Sequence, residues 1–149
     1  MTLYSPGMDR VVAGALIQRE QVLLGHRCAS RVSYPGVWDL PGGHVESGES
    51  EPDALVRELA EELGVRISRP AARPIARLLL PTKHEPNVQL AIWVVTEWTG
   101  QVTNCAPEEH DDLRWFGAAE LPALALAHPD CRALLAKAMA AGTPARPGE

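Results

Sequence analysis

Apolar residues along the chain follow two different periods, and the change of period separates predicted strands from predicted helices. Residues 11–18 and 21–26 are apolar-rich runs with two residues between them, which predicts a β-hairpin. Residues 75–80 and 88–98 predict two further strands. The second of these is apolar on both faces, as expected for a strand in the middle of a sheet.

Residues 52–63 show helical spacing instead. The apolar stripe of this predicted helix consists of Leu55, Val56, Leu59 and Leu63. Pro52 suits the first turn, because its missing N–H would be unsatisfied there in any residue. Ser50 or Ser47 is the predicted N-terminal cap, and Gly64 supplies the stop.

The rest of the chain predicts a short strand over residues 113–116, a helical turn over 118–121 and a final helix over 129–141. The core-facing residues of that helix are predicted to be Cys131, Leu134, Leu135 and Ala138. Strands on either side of one helix, followed by more strands and a last helix, indicate an α/β fold with a mixed sheet between helical layers. We expect one domain over residues 1–142 and a disordered tail over 143–149.

Composition narrows the class of protein without changing this picture. The chain has 149 residues, of which 46% are hydrophobic and 22% charged, as is typical of a single globular domain. No apolar run is long enough to span a bilayer, and residues 1–10 lack the pattern of a secretory signal. The three cysteines follow no metal-binding spacing, so we expect reduced thiols and a cytoplasmic protein. The net charge of -5 argues against long nucleic acid as a partner.

Three glutamates of the predicted helix, Glu58, Glu61 and Glu62, fall at i, i+3 and i+4 and share one face. Like charges at this spacing destabilise an isolated helix by about 0.2–0.5 kcal/mol per pair. A fold does not need this arrangement, whereas Mg²⁺ prefers hard oxygen ligands and leaves positions open for substrate phosphates. Arg57 lies beside the same face and can orient a carboxylate through a bidentate pair. The alternative is a solvated acidic face, since Glu is a good helix former.

A glycine pair precedes the helix, within the run Trp38-Asp39-Leu40-Pro41-Gly42-Gly43-His44-Val45-Glu46. The run predicts a short strand that leads into a tight turn. Gly42 and Gly43 permit backbone geometry closed to other residues, so a carbonyl there can approach a metal closely. Glu46, in the loop that follows, is either a further carboxylate of the site or a solvated loop acid.

The glycine turn and the helix together carry a longer pattern. Residues 43–65 follow the spacing G-x5-E-x7-R-E-U-x-E-E-x-G-U, in which U is a bulky aliphatic residue, here Leu59 and Val65. This spacing resembles the signature of the Nudix hydrolases at every position. The resemblance implies an α/β/α sandwich that uses water to cleave a pyrophosphate bond in a nucleoside diphosphate linked to a further group. It also implies Mg²⁺ or Mn²⁺ as the cofactor.

The same resemblance implies roles for individual residues. The implied metal ligands are Glu58, Glu62, Glu61 and a carbonyl of Gly42 or Gly43. Glu61 is either a third carboxylate ligand or the acceptor of a proton from the attacking water. Glu49 is expected to support Arg57 and the loop, or to reach a metal through water.

The general base is expected outside the signature. In MutT-like members of the family an acid precedes a tryptophan-containing strand, and Glu109 has this spacing from Trp115. Glu108 is the neighbouring candidate. The alternative is that both belong to a solvated acidic loop.

Residues expected to contact substrate are scattered along the chain: Arg27, Glu46, Lys83 and His128. MutT-like proteins carry an arginine where Arg27 stands, and Lys83 lies in a loop able to contact phosphate. Members that remove oxidised purines read the base with an asparagine before the last helix, where this chain offers His128. That difference argues against specificity for 8-oxoguanine.

The resemblance favours a nucleoside triphosphate as substrate, with a small nucleotide as the only partner besides a second copy. ADP-ribose or another nucleotide sugar is the alternative, and removal of RNA caps is a further one, against which the lack of a basic run argues. A silent nucleotide-binding domain is the non-enzymatic alternative, although such domains usually lose signature glutamates. Monomer and homodimer are both compatible with the sequence.

Overall fold

The computed structural model describes residues 8–28, 36–80, 87–126 and 131–142. Within these ranges the strands are β1 (Met8–Gln18), β2 (Gln21–Arg27), β3 (Trp38–Asp39), β4 (Gly42–His44), β5 (Ala76–Leu80), β6 (Asn87–Val95) and β7 (His110–Gly117). The helices are α1 (Glu51–Leu63), a 3-10 helix (Ala118–Ala123) and α2 (Cys131–Gly142). The predicted tail over residues 143–149 lies outside the described residues.

The predicted hairpin is confirmed, but its two strands separate beyond the turn. β1 and β2 pair only next to the turn, at Ile17↔Val22 and Gln18↔Gln21. The chain between β2 and α1 fills the gap, because β3 pairs with β2 and β4 pairs with β1. The predicted single strand before the glycine turn is therefore two short strands, each on a different neighbour.

The sheet is mixed, as predicted. β1 runs parallel to β6 from Met8↔Asn87 to Leu16↔Val95, while β5 is antiparallel to β6. β6 therefore lies in the interior of the sheet, although it ends before the predicted end at residue 98.

β7 is longer than the predicted strand over residues 113–116, because it begins at His110. Its pairing with β2 continues through His26↔Asp112 to Arg27↔His110. The hydrogen bonds of the partner strand extend β7 into a segment whose polar sequence predicts a loop.

Two apolar layers cover the two faces of the sheet, which confirms the predicted sandwich. On one face, α1 buries Leu55, Leu59 and Leu63 against residues of β1, β2 and β6. On the other, α2 buries Leu135, Ala138 and Met139 together with residues of the 3-10 helix. Cys131 and Leu134, predicted to face the core, are half-buried. No helix in the described part of the chain is long and apolar enough to cross a membrane.

The ends of α1 are fixed by specific hydrogen bonds. The Ser50 hydroxyl accepts from the Asp53 N–H at 3.2 Å, so Ser50 rather than Ser47 is the cap. Gly64 ends the helix with φ of 70°, a value that favours glycine. The loop after β6 docks on this end, because the N–H of Cys105 donates to the carbonyl of Glu62 at 2.8 Å. That contact brings the segment leading into β7 next to the last turn of α1.

Candidate metal centre

The centre is organised around Glu62 in the last turn of α1, whose residue surface is 4% exposed. One carboxylate oxygen, Oε2, accepts a hydrogen bond from the N–H of Gly42 at 2.8 Å. The other, Oε1, is buried and has no hydrogen-bond partner among the described residues. Burial, followed by the nearby carboxylates of Glu109, Glu58 and Asp39, raises the pKa of Glu62 to about 9. An ionised Glu62 therefore requires a positive charge that these neighbours do not supply.

Two consecutive residues, Glu109 just before β7 and His110 at its start, lie against Glu62. The ligand atoms of Glu62, Glu109 and His110 all lie within 4.8 Å of one another. His110 Nδ1 is 3.7 Å from the unpartnered Oε1 of Glu62. The Asn104 side-chain amide donates to the carbonyl of His110 at 2.8 Å, which fixes the backbone here. The loop docked on α1 thus presents both side chains to Glu62.

A second carboxylate lies behind the imidazole. His110 Nε2 is 3.2 Å from Oδ1 of Asp39 in β3. Oδ2 of Asp39 accepts a hydrogen bond from Arg27 Nη1 at 3.1 Å. Arg27, predicted to contact substrate, is therefore joined to the centre through Asp39. Neither Asp39 nor His110 was predicted from the sequence, since nothing local distinguishes a buried histidine within an acidic run.

Arg57 organises the loop that precedes α1. Its Nε and Nη2 donate to the two carboxylate oxygens of Glu49 at 2.8 and 3.0 Å, the bidentate geometry expected for this pair. Nη2 also donates to the carbonyl of His44 at 2.9 Å. Glu49 in turn accepts from the N–H of Glu46 at 3.1 Å. These contacts lower the pKa of Glu49, mainly through Arg57, and are those expected of a residue that supports the loop.

Glu58 and Glu61 lie on the Arg57 side of the helix. Arg57 Nη1 donates to Glu58 Oε1 at 2.8 Å and to Glu61 Oε2 at 3.2 Å. Burial raises the pKa of Glu58, although the Arg57 hydrogen bond opposes the change. The Glu61 side chain is 60% exposed. The three predicted ligands of the helix therefore have different surroundings. Glu62 faces Glu109 and His110. Glu58 and Glu61 both accept from Arg57, and Glu61 also faces solvent.

The glycine pair is required by close approach of other atoms. A Cβ at Gly42 would overlap the carbonyl oxygen of Val12, and a Cβ at Gly43 would overlap the carboxylate of Glu58. Any side chain at Gly43 must consequently displace Glu58. The role of the carbonyls of this pair as metal ligands remains a prediction.

The other predicted residues lie at the periphery or outside the described part. Glu46 is exposed, with Oε1 3.4 Å from Arg57 Nη1. Glu108 is exposed as well, whereas Glu109 is half-buried. Lys83 and His128 lie outside the described residues.

The donor set fits a divalent cation. A buried charge that lacks a partner costs several kcal/mol, which proteins avoid by pairing it or by binding a metal. Glu62 offers such an oxygen, and Glu58 and Glu109 add further carboxylate oxygens close to it. Hard oxygen donors of this kind suit Mg²⁺ and Mn²⁺.

Comparison with known proteins identifies a family and relatives that match much of the chain. A family model described as the NUDIX domain matches residues 8–137. The CTP pyrophosphohydrolase of Escherichia coli K12 is 32% identical over 123 residues, which cover 80% of this chain and 84% of that protein. The 8-oxo-dGTP diphosphatase of Proteus vulgaris is 34% identical over 68 residues, 46% of this chain and 58% of that protein.

A solved structure covers nearly the whole chain. The solution structure of the E. coli ORF135 protein has a TM-score of 0.70 and 32% identity, and the match covers 96% of each chain. The match to the putative 8-oxo-dGTP diphosphatase 2 of Mycobacterium tuberculosis is shorter: it is 51% identical over 61 residues, which cover 39% of this chain and only 40% of that protein.

Proposed function

The chain belongs to the Nudix family, and on this premise we propose that it hydrolyses a nucleoside triphosphate to a nucleoside monophosphate and pyrophosphate. The observation that carries the proposal is the buried, unpartnered oxygen of Glu62 beside Glu109. A domain that only bound nucleotide would gain nothing from retaining so costly a group.

In this proposal Glu62, Glu58 and Glu109, with a carbonyl of Gly42 or Gly43, would hold Mg²⁺ or Mn²⁺. The cation would neutralise charge on the phosphates and make water a stronger nucleophile. The chain supplies orientation, because Arg57 fixes Glu58 and the loop while the Gly42 N–H fixes Glu62.

The proton acceptor is proposed to be Glu109. Its carboxylate lies in the cluster with Glu62 and is half-buried, a position from which it would take a proton from water bound at the centre. Glu61 points towards Arg57 and solvent, and Glu108 is exposed. A general base must lie within hydrogen-bond reach of its proton, which favours Glu109 over both alternatives.

For the base, CTP is the first nucleotide to test, because the E. coli CTP pyrophosphohydrolase aligns with 80% of this chain. The Proteus 8-oxo-dGTP diphosphatase aligns with less than half. Contacts to substrate are proposed for Arg27, Glu46, Lys83 and His128. Arg27 is joined to the centre through its pair with Asp39.

The test is a substrate panel with all products resolved: triphosphates, 8-oxo-dGTP, ADP-ribose and capped RNA. We expect a nucleoside triphosphate to give monophosphate and pyrophosphate, with activity abolished by EDTA and restored by Mg²⁺ or Mn²⁺. A preference for ADP-ribose would show that the proposed triphosphate substrate is wrong and that the nucleotide-sugar alternative is right. Efficient decapping of long RNA would contradict the exclusion of nucleic acid, and binding without hydrolysis across the panel would reject the enzyme.

A further inference from the structure

His110 is held rigidly against the carboxylate cluster. It is 5% exposed, and its N–H donates to the carbonyl of Ala106 at 3.1 Å. A Cβ added at Gly25 would lie 2.5 Å from Cδ2 of its ring, so the ring packs directly on the backbone of β2. The orientation of the imidazole is therefore set by the fold.

The two ring nitrogens have different environments. Nε2 faces Oδ1 of Asp39 at 3.2 Å, and Oδ2 of the same carboxylate pairs with Arg27. A carboxylate group accepts hydrogen bonds from an N–H, so the tautomer that fits this contact has its N–H at Nε2 and its lone pair on Nδ1. That lone pair faces Glu62.

The separation of Nδ1 from Glu62 Oε1, 3.7 Å, is too long for a hydrogen bond. It suits two atoms that bind the same ion. Ligands that each lie about 2.1 Å from a cation are about 3 Å apart at a right angle and about 4 Å apart when opposite.

We propose that Nδ1 of His110 is a nitrogen ligand of the divalent cation, together with Glu62 and Glu109, and that Asp39 is a positioning residue that orients the ring. The inference rests on the proposed function at this centre and adds a donor of different chemistry to it. A carboxylate behind a metal-binding histidine is the usual way in which the tautomer and orientation of the ring are fixed. The Glu62 oxygen that lacks a hydrogen-bond partner within the described ranges independently points to a ligand between these side chains.

A nitrogen donor has consequences for the choice of metal. Imidazole binds transition-metal ions in preference to Mg²⁺, which favours oxygen. We therefore expect the protein to bind Mn²⁺ or Co²⁺ more tightly than Mg²⁺. The variant His110→Asn should reduce this difference in affinity.

The test uses Mn²⁺ alone, added at less than one equivalent to the full chain, with pulsed EPR to detect nitrogen bound to the ion. We expect nitrogen coupling in the parent and none in His110→Asn. The matched control is His26→Asn, since His26 pairs with Asp111 instead, and it should retain the coupling. Asp39→Asn should weaken Mn²⁺ binding by about tenfold or more, as loss of outer partners does.

A second variant covers the case in which His110→Asn does not fold. The chain has five histidines, and a protein in which the other four are replaced by Asn should still show the coupling. Bound Mn²⁺ without nitrogen coupling in the parent, or coupling that persists in folded His110→Asn, would overturn the inference.

The two proposals fail in distinguishable ways. Hydrolysis of a triphosphate by a parent without nitrogen coupling rejects the ligand and leaves the enzyme. Nitrogen coupling in a protein that hydrolyses no nucleotide in the panel rejects the enzyme and leaves the ligand.

Discussion

Two buried glutamates lie at opposite ends of α1, and the protein treats them in opposite ways. Glu51, in the first turn, is 8% exposed and accepts two hydrogen bonds from Arg77, both at 2.9 Å. Glu62, in the last turn, is also buried, but its Oε1 has no hydrogen-bond partner among the described residues. The pKa of Glu51 is lowered, mainly by Arg77, whereas that of Glu62 is raised by burial.

The helix reinforces this difference. Negative charge is stabilised near the N-terminus of a helix and disfavoured near the C-terminus, by about 0.3–1 kcal/mol at each end. Glu51 therefore gains from its position and from its cations, which makes it a structural ion pair between α1 and β5. Glu62 has neither advantage, and under the proposed function a bound cation would offset the cost of its burial. The contrast separates a carboxylate that holds the fold from one that serves the site.

The largest expected effect is on turnover. Glu62→Gln should lower kcat by about a hundredfold or more, because it removes a preorganised charge that stabilises the transition state. Glu51→Gln is the matched control on the same helix and should leave kcat within about threefold, an effect typical of groups remote from the chemistry. Steady-state kinetics with the preferred nucleotide measures both. Equal losses of kcat in the two variants would contradict the different roles assigned to Glu62 and Glu51.

A smaller effect on turnover is expected at the start of β7. Glu109→Gln should lower kcat by about tenfold or more while changing KM less, since a general base acts mainly in the transition state. Glu108→Gln, its exposed neighbour, is the control for a charge change in the same segment. A larger loss in Glu108→Gln would assign the base to that residue instead.

The smallest expected effect is on stability without metal. Because the pKa of Glu62 is about 9 in the folded protein against an ordinary value of 4.5, the folded state retains a proton that the unfolded chain releases. Stability from this group is complete below about pH 4.5 and is lost as the pH rises towards 9. In EDTA at pH 8, Glu62→Gln should raise the free energy of unfolding by at least about 1 kcal/mol.

Urea unfolding at several pH values measures this difference. The matched change at the other end, Arg77→Met, should lower the free energy of unfolding by about 1 kcal/mol by weakening a partly exposed pair. If the free energy of unfolding had the same pH dependence in the parent and in Glu62→Gln, the pKa of Glu62 would not be raised by burial. Glu62 would then be ionised in the folded protein without metal.

Local features of the fold were predictable because neighbours in sequence decide them. The pattern of apolar residues predicted the hairpin and α1, and the Ser50 cap and the Gly64 stop depend on contacts within a single turn. The predicted end of β6 and the predicted start of β7 were wrong. Pairing with a distant strand can extend or end a strand irrespective of its own residues. His110 illustrates the failure. Its neighbours in sequence are polar and predict a loop, yet pairing with Arg27 makes His110 the first residue of β7.

By itself the sequence determined a glycine turn and a helix with adjacent glutamates, because fixed spacing on a helix places side chains on known faces. The same spacing carried the resemblance to a metal-dependent hydrolase. Only the tertiary structure decided that Glu62 is buried while Glu61 is exposed, and that Asp39 and His110 meet beside it. Burial depends on which face packs against the sheet, and that meeting depends on the register of β2 with β3 and β7, which no local pattern encodes.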